Sequence, residues 1–488
     1  MRIKKELKIL MKICILVLLF FGANVYFSYA ADTYCTFKIG FKEAALDMAM
    51  RNGRPIIGVL YELHYLSGLS KESFYYISTF FALIFLIISI FILEKILSKH
   101  GISENIGILL SFASIANIFI IEYFMFIEKS GFMLAILFDV FSIYFMEKFF
   151  EVKKIKHLIV SMIIMVMAVY TYQGTIALFV ILSLPFAFKY AKNIREYVQN
   201  VFYIGVVYSF SVIIDLLSFK FVFQSSRISE KINYLSNLKT LIEGLRVFSV
   251  STFEILPKYF FLIILFTILL ISALLGNSHK RKYNYILSVI VIVLASVIFS
   301  TATIIQGAGW WSTRTTYPLT SVIGALIINQ FINLNDFKIN KKTIDVFCKL
   351  SITFLSILVI VQFFSFNKIF IDKYKLNALD QYRCEYIGQA INDYQNSTGI
   401  TIKNIAFYSD AARTYPPYSN LYSQGDLIFC ALYPDWSNIE VINYYLSENY
   451  IKVSQKEKYT KYFEDKDWSH LSKDQLIFDG DTLHLCIY

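Results

Sequence analysis

A succession of apolar runs, each close to the length of a bilayer-crossing helix and parted by short basic turns, limits the possible folds more than any other feature. At a helical rise of about 1.5 Å per residue, a run of roughly 20 apolar residues crosses the hydrocarbon core. Runs of this kind lie at 9–30, 73–96, 105–127, 131–149, 157–171, 173–190, 199–222, 254–276, 284–304, 316–334 and 346–368. The segments 131–149, 157–171 and 173–190 are the short ones. With 57% hydrophobic residues, and 46 Phe and 35 Tyr against 36 acidic residues, the chain has more apolar surface than a soluble protein needs. The expected fold is an α-helical polytopic membrane protein of about 11 transmembrane helices.

The formal net charge of +10 does not imply nucleic acid, because the basic residues sit in turns between apolar runs. One set of turns carries Lys95 and Lys99; Lys148, Lys153, Lys154 and Lys156; Lys189, Lys192 and Arg195; Lys280, Arg281 and Lys282; and Lys338, Lys341 and Lys342. The opposite set holds Lys129, Arg314 and nothing basic in 171–174. Cytoplasmic turns keep the Lys/Arg excess, so the first set is inside. An odd number of spans then puts the N-terminus in the cytoplasm and the C-terminus outside. Arg2, Lys4, Lys5 and Lys8 precede the first span, which ends near Tyr29-Ala30-Ala31. An uncleaved signal anchor is favoured there over a cleaved signal peptide. The wealth of Lys, Ile, Asn and Tyr suggests an A+T-rich, bacterial genome, and so a bacterial plasma membrane.

Three outer segments exceed the length of a turn: 31–72, 223–253 and the tail from about 369. They divide the expectation into a membrane domain, 1–371, and an extracytoplasmic α/β domain, 372–488. In the tail, Tyr382, Tyr386, Ile387, Ile391 and Tyr394 recur at helical spacing over 378–396. A short β-rich run spans 403–408, and 475–488 reads as a hairpin about Asp479-Gly480. Cys35, Cys384, Cys430 and Cys486 all fall outside, where they form two disulfides or remain thiols. No Cys/His cluster has metal-ligand spacing, and no cofactor is expected, although a divalent metal without a sequence signature stays open.

The first outer segment is the richest in chemistry. Asp32 stands just past the first span, followed by Tyr34, Glu43, Asp47 and then Asn52-Gly53-Arg54-Pro55. A carboxylate at the membrane surface can act as general base on an acceptor hydroxyl, and Arg51 or Arg54 can neutralise a phosphate leaving group. An ordinary solvated aspartate at a helix exit is the plainer alternative. Glu122 and Asp215 fall inside apolar runs, where carboxylates are costly and face a cavity or a partner. Gly307-Ala-Gly-Trp310-Trp311-Ser-Thr-Arg314-Thr-Thr-Tyr317-Pro318 puts an arginine among interfacial aromatics, suited to a lipid phosphate or simply to an aromatic belt. Tyr172-Gln173 at another outer turn has the groups to bind a sugar. There is no P-loop, no GxGxxG after a strand and no recognisable Ser/His/Asp arrangement.

This layout resembles the bacterial Gtr type-II glucosyltransferase family, in the membrane-embedded GT-C class, which modifies O-antigen. The resemblance rests on Asp32 after one span, the Asn52-Gly53-Arg54-Pro55 segment, the Tyr172-Gln173 turn, the Arg314-Thr-Thr-Tyr-Pro318 turn and an outer tail. It covers most of the first 330 residues, with the tail matched by position only. It implies transfer of a sugar, typically glucose, from a polyprenyl-phosphate donor to a surface polysaccharide or glycolipid on the outer face. Family members often carry two adjacent acidic residues in the first outer loop. Here Asp32 is followed by Thr33-Tyr34, so Asp32, Glu43 and Asp47 rank in that order as the catalytic carboxylate. Arg54 and Arg314 are expected at the donor phosphate, with Tyr34, Glu122, Tyr172 and Gln173 lining the substrate cavity and no metal site. A transporter or flippase of lipid-linked sugars, and a polysaccharide polymerase or ligase, are the rival readings; the long first loop and folded tail favour an enzyme.

Overall fold

The computed structural model describes residues 2–26, 28–223, 234–306, 311–338, 340–409, 421, 430–464, 466 and 472–487. The chain is mostly helical and divides into two compact units. The larger unit holds residues 1–25, 41–124 and 128–367; the smaller holds 26–40, 125–127 and 368–488.

In chain order the helices are α1 (Arg2–Phe21), α2 (Ala31–Ile39), α3 (Phe41–Leu46), α4 (Pro55–Ser67), α5 (Lys71–Lys99), α6 (Glu104–Ile115), α7 (Ile120–Tyr123) and α8 (Lys129–Val152). There follow α9 (Ile155–Thr171), α10 (Ala177–Lys189), α11 (Ile194–Phe221), α12 (Tyr234–Ser251), α13 (Phe260–Ser278), α14 (Lys282–Gln306), α15 (Val322–Ile332) and α16 (Lys341–Thr398). Among the described residues six helices are long and apolar enough to cross a membrane: Ile3–Val25, α5, α11, α13, Lys282–Thr301 and Lys342–Thr398. Sequence sets their ends. Ser70 caps α5 by accepting from Ser73 N (3.3 Å), and Asn193 caps α11 by accepting from Glu196 N (2.9 Å). Pro55 opens α4, and Gly68 closes it at φ +66°.

Several apolar runs are not long unbroken helices. The run 105–127 divides into α6 and α7 because Asn117 breaks the ladder. Its Oδ1 accepts from Phe119 N (3.1 Å), while its Nδ2 donates to Tyr317 O (3.2 Å) and Ser321 Oγ (2.7 Å). The runs 157–171, 173–190 and 316–334 form the shorter apolar helices Ile155–Thr171, Gln173–Lys189 and Tyr317–Ile332. Helix α8 has spanning length but carries Asp139, Glu147 and Lys148. Between 223 and 253, where sequence suggested only a long outer segment, α12 forms, with 224–233 outside the described residues. No break separates the run 346–368 from the expected tail helix 378–396, since α16 continues through both.

The smaller unit is built around a four-stranded sheet. Its strands are β1 (Asn404–Tyr408), β2 (Ile451–Lys452), β3 (Leu476–Asp479) and β4 (Thr482–Cys486), in the order β2-β1-β4-β3. Strand β1 runs parallel to both β2 and β4, with Asn404 opposite Ile451 and Thr482. The hairpin expected about Asp479-Gly480 is present, β3 and β4 pairing antiparallel with Gly480 at φ +64°. Two more helices, α17 (Asn438–Leu446) and α18 (Glu457–Glu464), complete this unit. Phe463 of α18 packs on Ala406, Tyr408 and Cys486.

The unit is not the tail alone, because α2 docks on α17. Tyr34 and Phe37 lie 5.4 and 5.6 Å from the Tyr444 ring, and the Tyr34 and Tyr445 hydroxyls are 3.0 Å apart. Lys38 pairs with Glu440, and Asn377 exchanges two hydrogen bonds with the backbone of Tyr29. All six cysteines are free thiols. Burial and the neighbouring carboxylates of Asp32 and Glu440 push the Cys35 thiol up to about 11, which keeps it protonated and unreactive at neutral pH.

The buried His484 of β4 makes the sheet sensitive to acid. Its Nδ1 lies 2.9 Å from the Tyr408 hydroxyl. Burial, aided by Lys456 and Lys458 against the opposing charge of Asp479, lowers its pKa to about 4. An unfolded histidine at the usual value of about 6.5 takes up a proton between pH 6.5 and 4, while the folded one stays neutral. The stabilisation is therefore complete above about pH 6.5 and is lost as pH falls towards 4, by up to about 3 kcal/mol. Hydrogen exchange of 476–486, corrected for intrinsic rates, is expected to lose protection across that window. His484→Asn, which does not titrate, should flatten the dependence; an equal dependence in the variant would assign the loss to other groups.

Candidate functional site

The polar cluster of the larger unit starts from the Asn52-Gly53-Arg54-Pro55 segment. Asp47 accepts from Asn52 Nδ2 (2.8 Å) and pairs with Arg51 (3.3 Å), turning the chain at the end of a π-helical turn. Gly53 has φ +64°, and a Cβ there would lie 2.3 Å from the Phe219 ring of α11. Only glycine satisfies both demands. Arg54 follows, 9% exposed, with its guanidinium 4.6 Å from the centre of the Tyr172 ring.

The Tyr172-Gln173-Gly174 turn completes this side. Gln173 Nε2 donates to Gly53 O (3.2 Å) and approaches Asp215 Oδ1 of α11 (3.5 Å). Asp215 is also within electrostatic reach of Arg54. Gly174 has no side chain because the Tyr172 ring fills the space, 2.4 Å from where a Cβ would stand. Tyr172 in turn packs on Phe132 (4.6 Å) and Tyr123 (5.5 Å).

Tyr123 leads to the second arginine. Its hydroxyl donates to Arg314 O (2.7 Å), and its ring lies 5.1 Å from that of Tyr317. The fully buried Glu122 holds the same turn: its Oε2 accepts from Thr313 Oγ1 and from Arg314 N (2.6 Å). Its Oε1 lies 3.8 Å from Arg314 Nε. Arg54, Tyr172, Gln173, Glu122 and Arg314 thus belong to one connected set, with Tyr123 as the link. Of the aromatic motif preceding Arg314, 307–310 lie outside the described residues; Trp311 fills the space beside Gly244 of α12.

The remaining candidates have other contacts, each within its own unit. Glu43 is exposed on α3, and Asp47 has the local role given above. In the smaller unit Asp32 is exposed on α2, where its Oδ1 accepts from Trp436 Nε1 (3.3 Å). Tyr34 is 1% exposed within the aromatic contact between α2 and α17. There, burial raises its phenol well above the ordinary range. Among the described residues no three His, Cys, Asp or Glu side chains are grouped to hold a metal ion.

Sequence reasoning passed over several buried polar groups. Asp139 of α8 is fully buried with Thr175 beside it, and its signal was the same as that of Glu122, a carboxylate in an apolar run. Lys129, also fully buried, donates to Asn24 Oδ1 (2.6 Å) and lies 3.8 Å from the Tyr75 ring centre. A lysine at the end of an apolar run reads as an interfacial charge, so nothing in the sequence marked it. No protein-family model matches this chain, and no curated protein matches it in sequence.

Proposed function

We propose that the protein is a membrane glycosyltransferase of the outer face of a bacterial plasma membrane. It crosses the bilayer about eleven times, with its N-terminus in the cytoplasm and its tail outside. It moves a sugar, glucose by the family resemblance, from a polyprenyl-phosphate donor to a surface polysaccharide or glycolipid. The observation that carries this reading is the connected set around Arg54 and Arg314 within an apolar helical unit. Two guanidinium groups, one stacked on a tyrosine and one tied to a buried carboxylate, suit a phosphate that arrives within the bilayer. Outside the cell there is no nucleotide-sugar supply, so the donor must be lipid-linked.

In the reaction, an acceptor hydroxyl oxygen bonds to the anomeric carbon and the bond from that carbon to the phosphate oxygen breaks. The electron pair leaves with the polyprenyl phosphate, whose negative charge Arg54 and Arg314 stabilise. The hydroxyl proton passes to a carboxylate, with Asp32 as the first candidate. The test is transfer of radiolabelled glucose from polyprenyl-phosphate glucose in membranes carrying the wild type or Asp32→Asn. Loss of transfer at an unchanged protein level is the expected result. Equal transfer by both would move the base to Glu43 or Asp47, and none by the wild type would refute glucosyl transfer from this donor.

A further inference from the structure

We infer that the smaller unit carries its own binding site for a neutral saccharide ring, in the pocket at the carboxyl ends of its parallel strands. This goes beyond the transfer reading and stands without it, because every residue it uses lies in the smaller unit. The pocket encloses about 280 Å³ and is lined by the ends of three strands. Tyr408 and Ser409 close β1, Ile487 follows β4, and Gln455 stands three residues beyond β2. Chain order reverses here, since β2 and β4 flank β1 on opposite sides. The crevice outside the carboxyl ends at such a reversal is where open α/β sheets bind ligands.

The lining decides the ligand class. Tyr433 is 39% exposed and Trp436 60%, large aromatic surfaces left in water at the pocket. Beside them are the amides of Asn438 and Gln455 and the carboxylate of Asp435. A hydrocarbon would cover the rings but offer nothing to the exposed Gln455 amide and Asp435 carboxylate beside them. A phosphate would need a cation; among the described residues the lining carries none, and Lys452 beside it is engaged with Asp435 and with Asn438 Oδ1 (3.3 Å). A sugar ring offers C–H faces to the aromatics and hydroxyls to the exposed Gln455 amide and Asp435 carboxylate at once. The volume lies near the lower end of small-molecule pockets, roughly 300 Å³, which suits one ring rather than a chain.

The test uses the full chain in detergent, with no donor present, so failure of binding and failure of transfer are separate results. Ligand-observed NMR would be recorded with neutral mono- and disaccharides of glucose, galactose, mannose, rhamnose and N-acetylglucosamine, and with glucose 1-phosphate. The expected result is binding of at least one neutral sugar, with Kd raised about tenfold or more by Trp436→Ala and by Tyr433→Ala. Because Trp436 also touches Asp32, Tyr433→Ala serves as the independent variant, and hydrogen exchange of 404–408 and 482–486 reports that the sheet is intact. Binding of none of the neutral sugars, binding of the sugar phosphate alone, or wild-type affinity in both variants would overturn the proposal.

Discussion

Replacing Glu122 with alanine is expected to destabilise the larger unit by about 2–4 kcal/mol, the range for removing one partner of a buried charge network. The carboxylate is fully buried, and its Oε2 receives both the Thr313 hydroxyl and the Arg314 amide. Without it, the Thr313 hydroxyl and the Arg314 amide lose this acceptor and the Arg314 guanidinium loses a neighbouring carboxylate. Arg314 is 24% exposed, so solvent recovers part of the loss and the lower half of the range applies best. Glu122→Gln keeps an acceptor for the turn and should cost less than half as much. The measurement is hydrogen exchange across 312–317, alongside apparent Tm of the full chain, since membrane proteins seldom unfold reversibly. Unchanged protection in Glu122→Ala would show that the turn is held by its other contacts.

Arg54→Ala is expected to reduce sugar transfer by about 100- to 1,000-fold, the scale for losing one stabilising group at a developing anion. The lost stacking on Tyr172 contributes about 0.5–2 kcal/mol, so transfer is compared at equal levels of folded protein. Arg54→Lys should recover little, since an ammonium offers neither the planar face that lies on the ring nor a bidentate fork. A second perturbation reaches the same arginine from its backbone. Gly53→Ala forces φ +64° on a residue with a Cβ and drives that carbon into Phe219. The backbone term alone costs about 1–2 kcal/mol. Transfer should fall in this variant although Arg54 is retained. Wild-type transfer by Arg54→Ala would remove Arg54 from the phosphate site.

The apolar runs were legible because burial in lipid demands length and hydrophobicity, and both can be counted from residues alone. What broke those runs was not. Asn117 ends α6 with one local bond, from Phe119 N, and two to Tyr317 and Ser321, two hundred residues away, so its only local sign is a single asparagine in an apolar run. The continuity of α16 was hidden for the opposite reason: charge density rises after Lys373, yet the helical ladder does not depend on polarity. Arg54, Tyr172, Gln173 and Arg314 stood out by residue type in outer segments and turns, and Glu122 as a carboxylate inside an apolar run. Their connection through Tyr123 did not, because that tyrosine looks like any aromatic in a span. Asp32 was noticed, but its partner Trp436 lies four hundred residues on. Nothing local could have suggested the pair.

The position of β4 bears on how a partly made copy of this protein would fare in the cell. This strand lies inside the sheet, between β1 and β3, yet its pairing with β1 joins Asn404 to Thr482 across a long stretch of chain. Contacts so far apart in sequence close slowly. A copy cut short between Tyr408 and Thr482 would leave the β4 side of β1 unpaired, a ready template for self-association. The pairing of β1 with β4 therefore makes the exposure of a strand edge depend on residues made about eighty positions later.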